Sequence, residues 1–133
     1  MATEFIMPDD ILVAETHEYV RTMDDDRVRV GITEYAAGQL GDIVFVELPD
    51  VGQTFDQNES FGSIESVKAQ SELYLPVAGE IIAVNTQLSE EPQMVNDDPY
   101  NGGWMLEILL SNPDDLKKLM DADSYLKFIG EAN

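Results

Sequence analysis

Short apolar runs of strand length, separated by turn residues at regular intervals, constrain this chain more than any other feature. Ile11 to Ala14 and Tyr19 to Arg21 come first, and Asp24-Asp25-Asp26 turns the chain into Val28-Arg29-Val30. The spacing predicts a hairpin there. Thr33 suits the N-cap of a short helix through Ala36, Ala37 and Leu40, and Gly41 suits its end. Asp42 to Leu48 sets Ile43, Phe45 and Glu47 against Val44, Val46 and Leu48, predicting a strand with both faces largely buried. Pro49-Asp50-Val51-Gly52 is a turn. Ser60 to Val67 is the next strand, with Phe61, Ser63, Glu65 and Val67 on one side. Leu73 to Val77 returns, Ala78-Gly79 turns again into Glu80 to Val84, and Gly102-Gly103 introduces a last strand over Trp104 to Leu110. Such a series predicts an all-β sandwich or barrel.

The chain then ends in helix. Asn112 suits a cap, Pro113 the first helical position, and Asp114 and Asp115 the positive end of the dipole. Leu116, Leu119 and Met120 predict one apolar stripe docked on the sandwich, and Ser124 opens a second segment carrying Tyr125, Leu126 and Ile129, with Gly130 as a stop. The 133 residues suffice for one domain with its own core.

Charge narrows the partners. Seven basic residues face 27 acidic ones, a net charge of −20. Such a surface repels phosphate backbones and anionic membranes, keeps a small protein monomeric, and favours basic docking surfaces. With no cysteine and one histidine, the chain has no disulfide, thiol chemistry or multi-histidine metal site of its own. Any redox-active sulfur must come from a cofactor. No membrane-length apolar run and no signal-peptide pattern occurs, so the expected location is the cytoplasm, or the mitochondrial matrix for a eukaryotic source.

One amine stands apart. Lys68, in Glu65-Ser66-Val67-Lys68-Ala69, is the only lysine or arginine between Arg29 and Lys117, and it falls on the turn between two strand-like runs. A lone amine on a turn suits amide attachment of a carboxylic-acid cofactor.

The motifs around it occur in a definite order. Gly31-Ile32-Thr33-Glu34-Tyr35-Ala36 leads into Leu40-Gly41-Asp42-Ile43-Val44-Phe45-Val46-Glu47-Leu48-Pro49. Phe61-Gly62 precedes the Lys68 motif, Pro76-Val77-Ala78-Gly79-Glu80-Ile81 follows it, and Val95-Asn96-Asp97-Asp98-Pro99-Tyr100 and Gly103-Trp104-Met105 come behind. From about His17 to the C-terminal helix, the chain closely resembles the H proteins of the glycine cleavage system. The resemblance implies a mostly β, lipoyl/biotinyl-type barrel-sandwich hybrid with a short internal helix and a C-terminal helical segment. It implies one lipoyl-carrier domain over 1–133, with the sandwich over about 11–110 and helices over about 113–130.

It also implies a carrier rather than an enzyme. Lipoic acid, amide-linked to Lys68, would carry the aminomethyl group of glycine among three partners. These are a pyridoxal-phosphate glycine decarboxylase, a tetrahydrofolate-dependent aminomethyltransferase and a dihydrolipoyl dehydrogenase. A lipoylating enzyme would read the attachment motif Glu65, Ser66, Val67 and Ala69. In the family the loaded arm folds into a surface cleft, shielded from water; by position Glu18, Gln39, Ser66 and Glu72 are the candidates for lining it. Glu65 and Glu72 bracket Lys68 with negative charge, which favours the protonated amine.

Some residues depart from the family pattern. Gln39 stands where some members carry histidine, Tyr19 where tryptophan is usual, and Glu107 where lysine is common. His17 is expected in a structural or cleft-edge role, since no nucleophile pattern accompanies it, and Trp104 is expected to anchor the core. An H-like lipoyl donor or relay for other lipoyl enzymes is the alternative on the same fold. A biotin carrier would place methionines where Val67 and Ala69 stand. A hydrolase using paired carboxylates has only the general abundance of acids behind it.

Overall fold

The computed structural model describes residues 7–131; the expected 1–133 span extends beyond these at both ends. Ten strands are present: β1 (Ile11–Val13), β2 (Glu18–Thr22), β3 (Arg27–Ile32), β4 (Ile43–Glu47), β5 (Thr54–Phe55), β6 (Ser60–Ser66), β7 (Gln70–Tyr74), β8 (Gly79–Val84), β9 (Leu106–Leu110) and β10 (Met120–Asp121). The helices are α1 (Glu34–Leu40), α2 (Met94–Asp97) and α3 (Ala122–Leu126), with 3-10 turns at Thr86–Ser89 and Pro113–Lys118. The strands form a seven-stranded sheet in the order β10-β1-β2-β3-β9-β8-β5 and a three-stranded sheet in the order β4-β6-β7. Every pairing is antiparallel. This is the expected mostly β, lipoyl-type sandwich, with two sheets rather than a closed barrel. Among the described residues no helix is long and apolar enough to cross a membrane.

One apolar cluster joins the two sheets. Val28, Val30, Ile81 and Ile108 of the larger sheet pack with Ile43, Val46, Ile64 and Leu73 of the smaller. A second cluster gathers Ile11, Val13, Tyr19, Tyr100 and Tyr125, so that α3 seals the β1–β2 end. Tyr19 lies under Gly31, where an added Cβ would sit 2.6 Å from the phenol oxygen. Its hydroxyl donates to the Pro99 carbonyl at 2.6 Å. Thr33 caps α1, its hydroxyl accepting from Ala36 N–H at 3.2 Å.

Four expectations are corrected. β4 is not buried on both faces. A register shift between Ile43 and Phe45 breaks the alternation, leaving Val44 and Phe45 48% and 53% exposed while Ile43 and Val46 stay inside. On β6 the predicted common face is not uniform: Phe61, at a second register shift between Ser60 and Gly62, and Ser63 are buried, whereas Glu65 and Val67, toward the turn, are exposed. Trp104 is half-buried and outside the main cluster; its ring carries the Arg29 guanidinium 4.7 Å from the centroid, and Arg29 also pairs with Glu107 at 2.8 Å. Glu107 thus meets a local cation. Finally, Leu116, Leu119 and Met120 do not form one helical stripe. The 3-10 turn ends at Lys118, Leu119 is extended, and Met120 joins the two-residue strand β10 against β1. Helix restarts at Ala122, capped by Asp121, which accepts from Ser124 N–H at 2.8 Å.

Candidate functional site

Lys68 lies on the turn between β6 and β7 and is exposed. The turn is built around a serine side chain. Ser66 is 5% exposed, and its Oγ accepts from Lys68 N–H at 3.3 Å and Ala69 N–H at 3.0 Å. The hydroxyl replaces the carbonyl that a tight turn would otherwise use. Ser66 N–H meanwhile donates to the Ala69 carbonyl at 2.8 Å. Val67 N–H donates to the Asp42 carbonyl at 3.0 Å, tying the turn to the α1–β4 connection. That connection passes through Gly41 at φ 89, a conformation open to glycine. The Lys68 stem lies over this glycine: an added Cβ would be 3.3 Å from Lys68 Cε.

A cavity of about 300 Å³ has α1, the helix that ends at this glycine, along one side. Tyr35, Ala36, Gln39 and Leu40 form one wall, ending one residue before Gly41. Thr16, His17 and Glu18 form another, and Ser71, Glu72 and Leu73 of β7 a third, with Ile32 and Ile64 also present. Three of the four expected cleft residues, Glu18, Gln39 and Glu72, therefore meet at one cavity. Ser66 does not line it; its hydroxyl closes the turn. Glu72 accepts from the Ser60 hydroxyl at 2.7 Å, which directs its carboxylate away from a simple pairing with Lys68. A wider hollow of about 560 Å³ runs beside β4, but its acids, Glu90, Glu91 and Asp97, are exposed and none of the candidate residues lines it.

Glu18 is the unusual group in the cavity. It is 2% exposed, and burial raises its pKa to about 7. Hydrogen bonds oppose that rise: the Thr16 hydroxyl donates to Oε1, Tyr74 N–H donates to Oε2 at 3.0 Å, and Glu18's own backbone adds a smaller contribution. The carboxyl is thus poised near neutrality, with apolar walls around it. A long apolar arm ending in a cation would find burial along Ile32, Ala36, Leu40, Ile64 and Leu73 and a charge partner at Glu18.

His17 sits at the cavity edge in a left-handed backbone conformation, φ 81. Its Nδ1 shares a hydrogen bond of 2.8 Å with the Tyr125 hydroxyl, which also meets Thr33 Oγ1 at 2.8 Å. Its ring lies 5.4 Å from that of Tyr35, and burial lowers its pKa. These contacts fasten α3 and the cap of α1 to the cavity rim. Thr16, Tyr35 and the Tyr74 amide are cavity or carboxyl partners that the sequence pattern does not mark, since each arrives through tertiary packing.

Two of the other three lysines are paired with carboxylates. Lys117 pairs with Asp114 at 3.3 Å and Lys118 with Asp115 at 3.9 Å, within the 3-10 turn.

Comparison with known proteins agrees with the sequence resemblance. The family model described as glycine cleavage H-protein matches residues 11–132. The glycine cleavage system H protein of Bacillus cereus is 48% identical over 125 residues, covering 94% of this chain and 98% of its own. That of Bacillus cytotoxicus is 47% identical with the same coverage. The crystal structure of the H protein from Mycobacterium marinum superposes with a TM-score of 0.85 at 36% identity, covering 93% of this chain and 99% of that one. With fold, turn and cavity in agreement, the chain belongs to the glycine cleavage H-protein family.

Proposed function

We propose that this chain is a single-domain lipoyl carrier of a glycine cleavage system, with lipoic acid in amide linkage to Lys68. Family membership supports the carrier role. The observation that carries the attachment site is the Lys68 turn: an exposed amine on a serine-built turn, its stem resting on the glycine at which one wall of the cavity ends. The lipoyl group would supply a disulfide that accepts the aminomethyl unit and is returned to the oxidised form by a partner.

The chain's own residues do the rest. Ser66 and Asp42 hold the turn outward, so that Lys68 reaches active sites on other proteins. Ile32, Leu40, Ile64 and Leu73 offer the arm an apolar bed and keep water from it. Ionised Glu18 accepts a charge-assisted hydrogen bond from an aminomethyl ammonium, and Gln39 and Glu72 border the entrance. The chain catalyses no step itself. Tethering raises the local concentration of the carried group at each partner.

The partners in this reading are glycine decarboxylase, aminomethyltransferase, dihydrolipoyl dehydrogenase and a lipoylating enzyme, visited by a cytoplasmic monomer. The charge of −20 favours brief encounters with basic docking faces and disfavours nucleic acid and membranes.

Reconstitution tests the reading. Lipoylated wild-type protein, mixed with the three partner enzymes, glycine, tetrahydrofolate and NAD, is expected to support glycine-dependent NADH formation, and Lys68→Arg to support none. A lipoylated wild type that donates its lipoyl group to other enzymes yet supports no glycine turnover would replace this reading with the relay role.

A further inference from the structure

Asn96 belongs to a motif that the carrier reading leaves without a task. It lies on α2, a four-residue helix remote in sequence from the turn. Its side chain reaches the α1–β4 connection with both ends of the amide. Nδ2 donates to the Gly41 carbonyl at 2.9 Å, and Oδ1 accepts from Ile43 N–H at 2.9 Å.

These are two groups the local fold leaves open. Gly41 is the C-cap of α1, where carbonyls lack helical partners. Ile43 opens β4, one of the two edge strands of the smaller sheet. A primary amide offers a donor and an acceptor side by side, so one side chain satisfies both. Asp42 is thereby gripped on either side, and its own carbonyl is the acceptor for Val67 N–H at 3.0 Å. Gly41, the other gripped residue, is the surface on which the Lys68 stem lies. Ile43 also stands opposite Ser66, the turn's organising serine. One amide thus fixes the three residues on which the Lys68 turn rests.

We propose that Asn96 is the positioning residue for the carrier lysine: it clamps Gly41 and Ile43 so that the Lys68 turn stands in one place relative to the domain. The inference rests on Lys68 being the attachment site. Asn96 touches neither arm nor partner and acts through Asp42 and Gly41. Leucine or alanine there would leave a helix-end carbonyl and a strand N–H unpaired, and aspartate would keep the acceptor but set a carboxylate against the Gly41 carbonyl.

Asn96→Asp, nearly equal in volume, and Asn96→Ala provide the test on the unmodified full chain. Amide hydrogen exchange reads the clamp and does not depend on the cofactor. In both variants Val67 N–H is expected to exchange about tenfold faster than in wild type, while Val20 N–H in the core keeps its rate. Lipoylation by a lipoate–protein ligase, followed by intact mass, is expected to slow several-fold in both, with KM for lipoate unchanged because lipoate binds the ligase. Wild-type Val67 exchange in Asn96→Asp would overturn the clamp, as would a rise shared equally by Val20, which would mean general loosening. A lipoyl mass absent from Lys68 in wild type would overturn the attachment reading, and the clamp with it. A mass on Lys68 at an unchanged rate in both variants would overturn the clamp alone.

Discussion

Two hairpin ends of this molecule solve the same problem in opposite ways. The β2–β3 turn is shaped by its own backbone. Asp25 and Asp26 adopt φ 59 and 60, Arg27 N–H returns to the Asp24 carbonyl at 3.2 Å, and Met23 N–H reaches the Arg27 carbonyl at 2.8 Å. Two consecutive left-handed residues give the mirror-type turn that matches strand twist. The β6–β7 turn, by contrast, has no left-handed residue; Ser66 Oγ closes it, and Asp42 ties it to a distant segment. The β2–β3 turn thus closes on itself, and its tie to another element is Leu110 N–H of β9 donating to the Asp26 carbonyl at 2.8 Å. A turn fastened from outside fixes where its side chains stand relative to the body, as a carrier lysine requires. The acids differ likewise: Asp24, Asp25 and Asp26 are exposed, whereas Glu18, bonded by the β7 backbone at Tyr74, is buried.

The largest effect is expected at that buried acid. Glu18 holds its proton more tightly in the folded chain, at about 7 against an ordinary 4.5, so its ionisation weakens the fold as pH rises from about 4.5 through 7. Glu18→Gln removes this term. Urea unfolding across pH 4 to 8 should find the variant more stable than wild type above pH 7, by up to about 3 kcal/mol, with the advantage gone near pH 4. His17, whose pKa is lowered, acts in the opposite sense as pH falls, in both proteins alike. A constant difference across the range would mean that Glu18 titrates normally.

Next in size is Gly41→Ala. The side chain would meet both an unfavourable φ of 89 and the Lys68 stem. We expect a loss of about 1–3 kcal/mol in denaturant unfolding, together with slower lipoylation. Stability lost without any change in lipoylation would detach Gly41 from the lysine's placement.

The smallest effect is expected at Asp26→Gly. Glycine occupies the left-handed region without steric cost, so the variant should gain about 0.5–1 kcal/mol. Its lipoylation rate should match wild type. A changed rate would mean that the two hairpin ends are coupled after all.

The sequence carried the frame of this fold because its signals are local. Thr33, Asn112 and Pro113 stand at helix starts where capping chemistry puts them, and Tyr19 to Val30 reads directly as a hairpin. What failed depended on distant partners. The shift at Ile43/Phe45 turned Val44 and Phe45 outward, against their hydrophobicity, and β5 and β10 are two-residue strands too short to show a period. Met120 looked helical until β1 recruited it. At the site, Lys68 was legible as an isolated amine on a turn, and Glu18, Gln39 and Glu72 followed from resemblance. Ser66, a cleft candidate by position, closes the turn with its hydroxyl and is not among the residues lining the cavity. Thr16, the Tyr74 amide and the amide of Asn96 come to the site through folding alone.

The central claim is that Lys68, held outward by this externally fastened turn, is the attachment point. Peptide mass mapping of protein lipoylated by the ligase tests it most directly, since the chain has only three other lysines, Lys117, Lys118 and Lys127. The account predicts a single lipoyl mass, on the peptide containing Lys68, and none on Lys68→Arg. A lipoyl mass on Lys117, Lys118 or Lys127 with Lys68 free would contradict it.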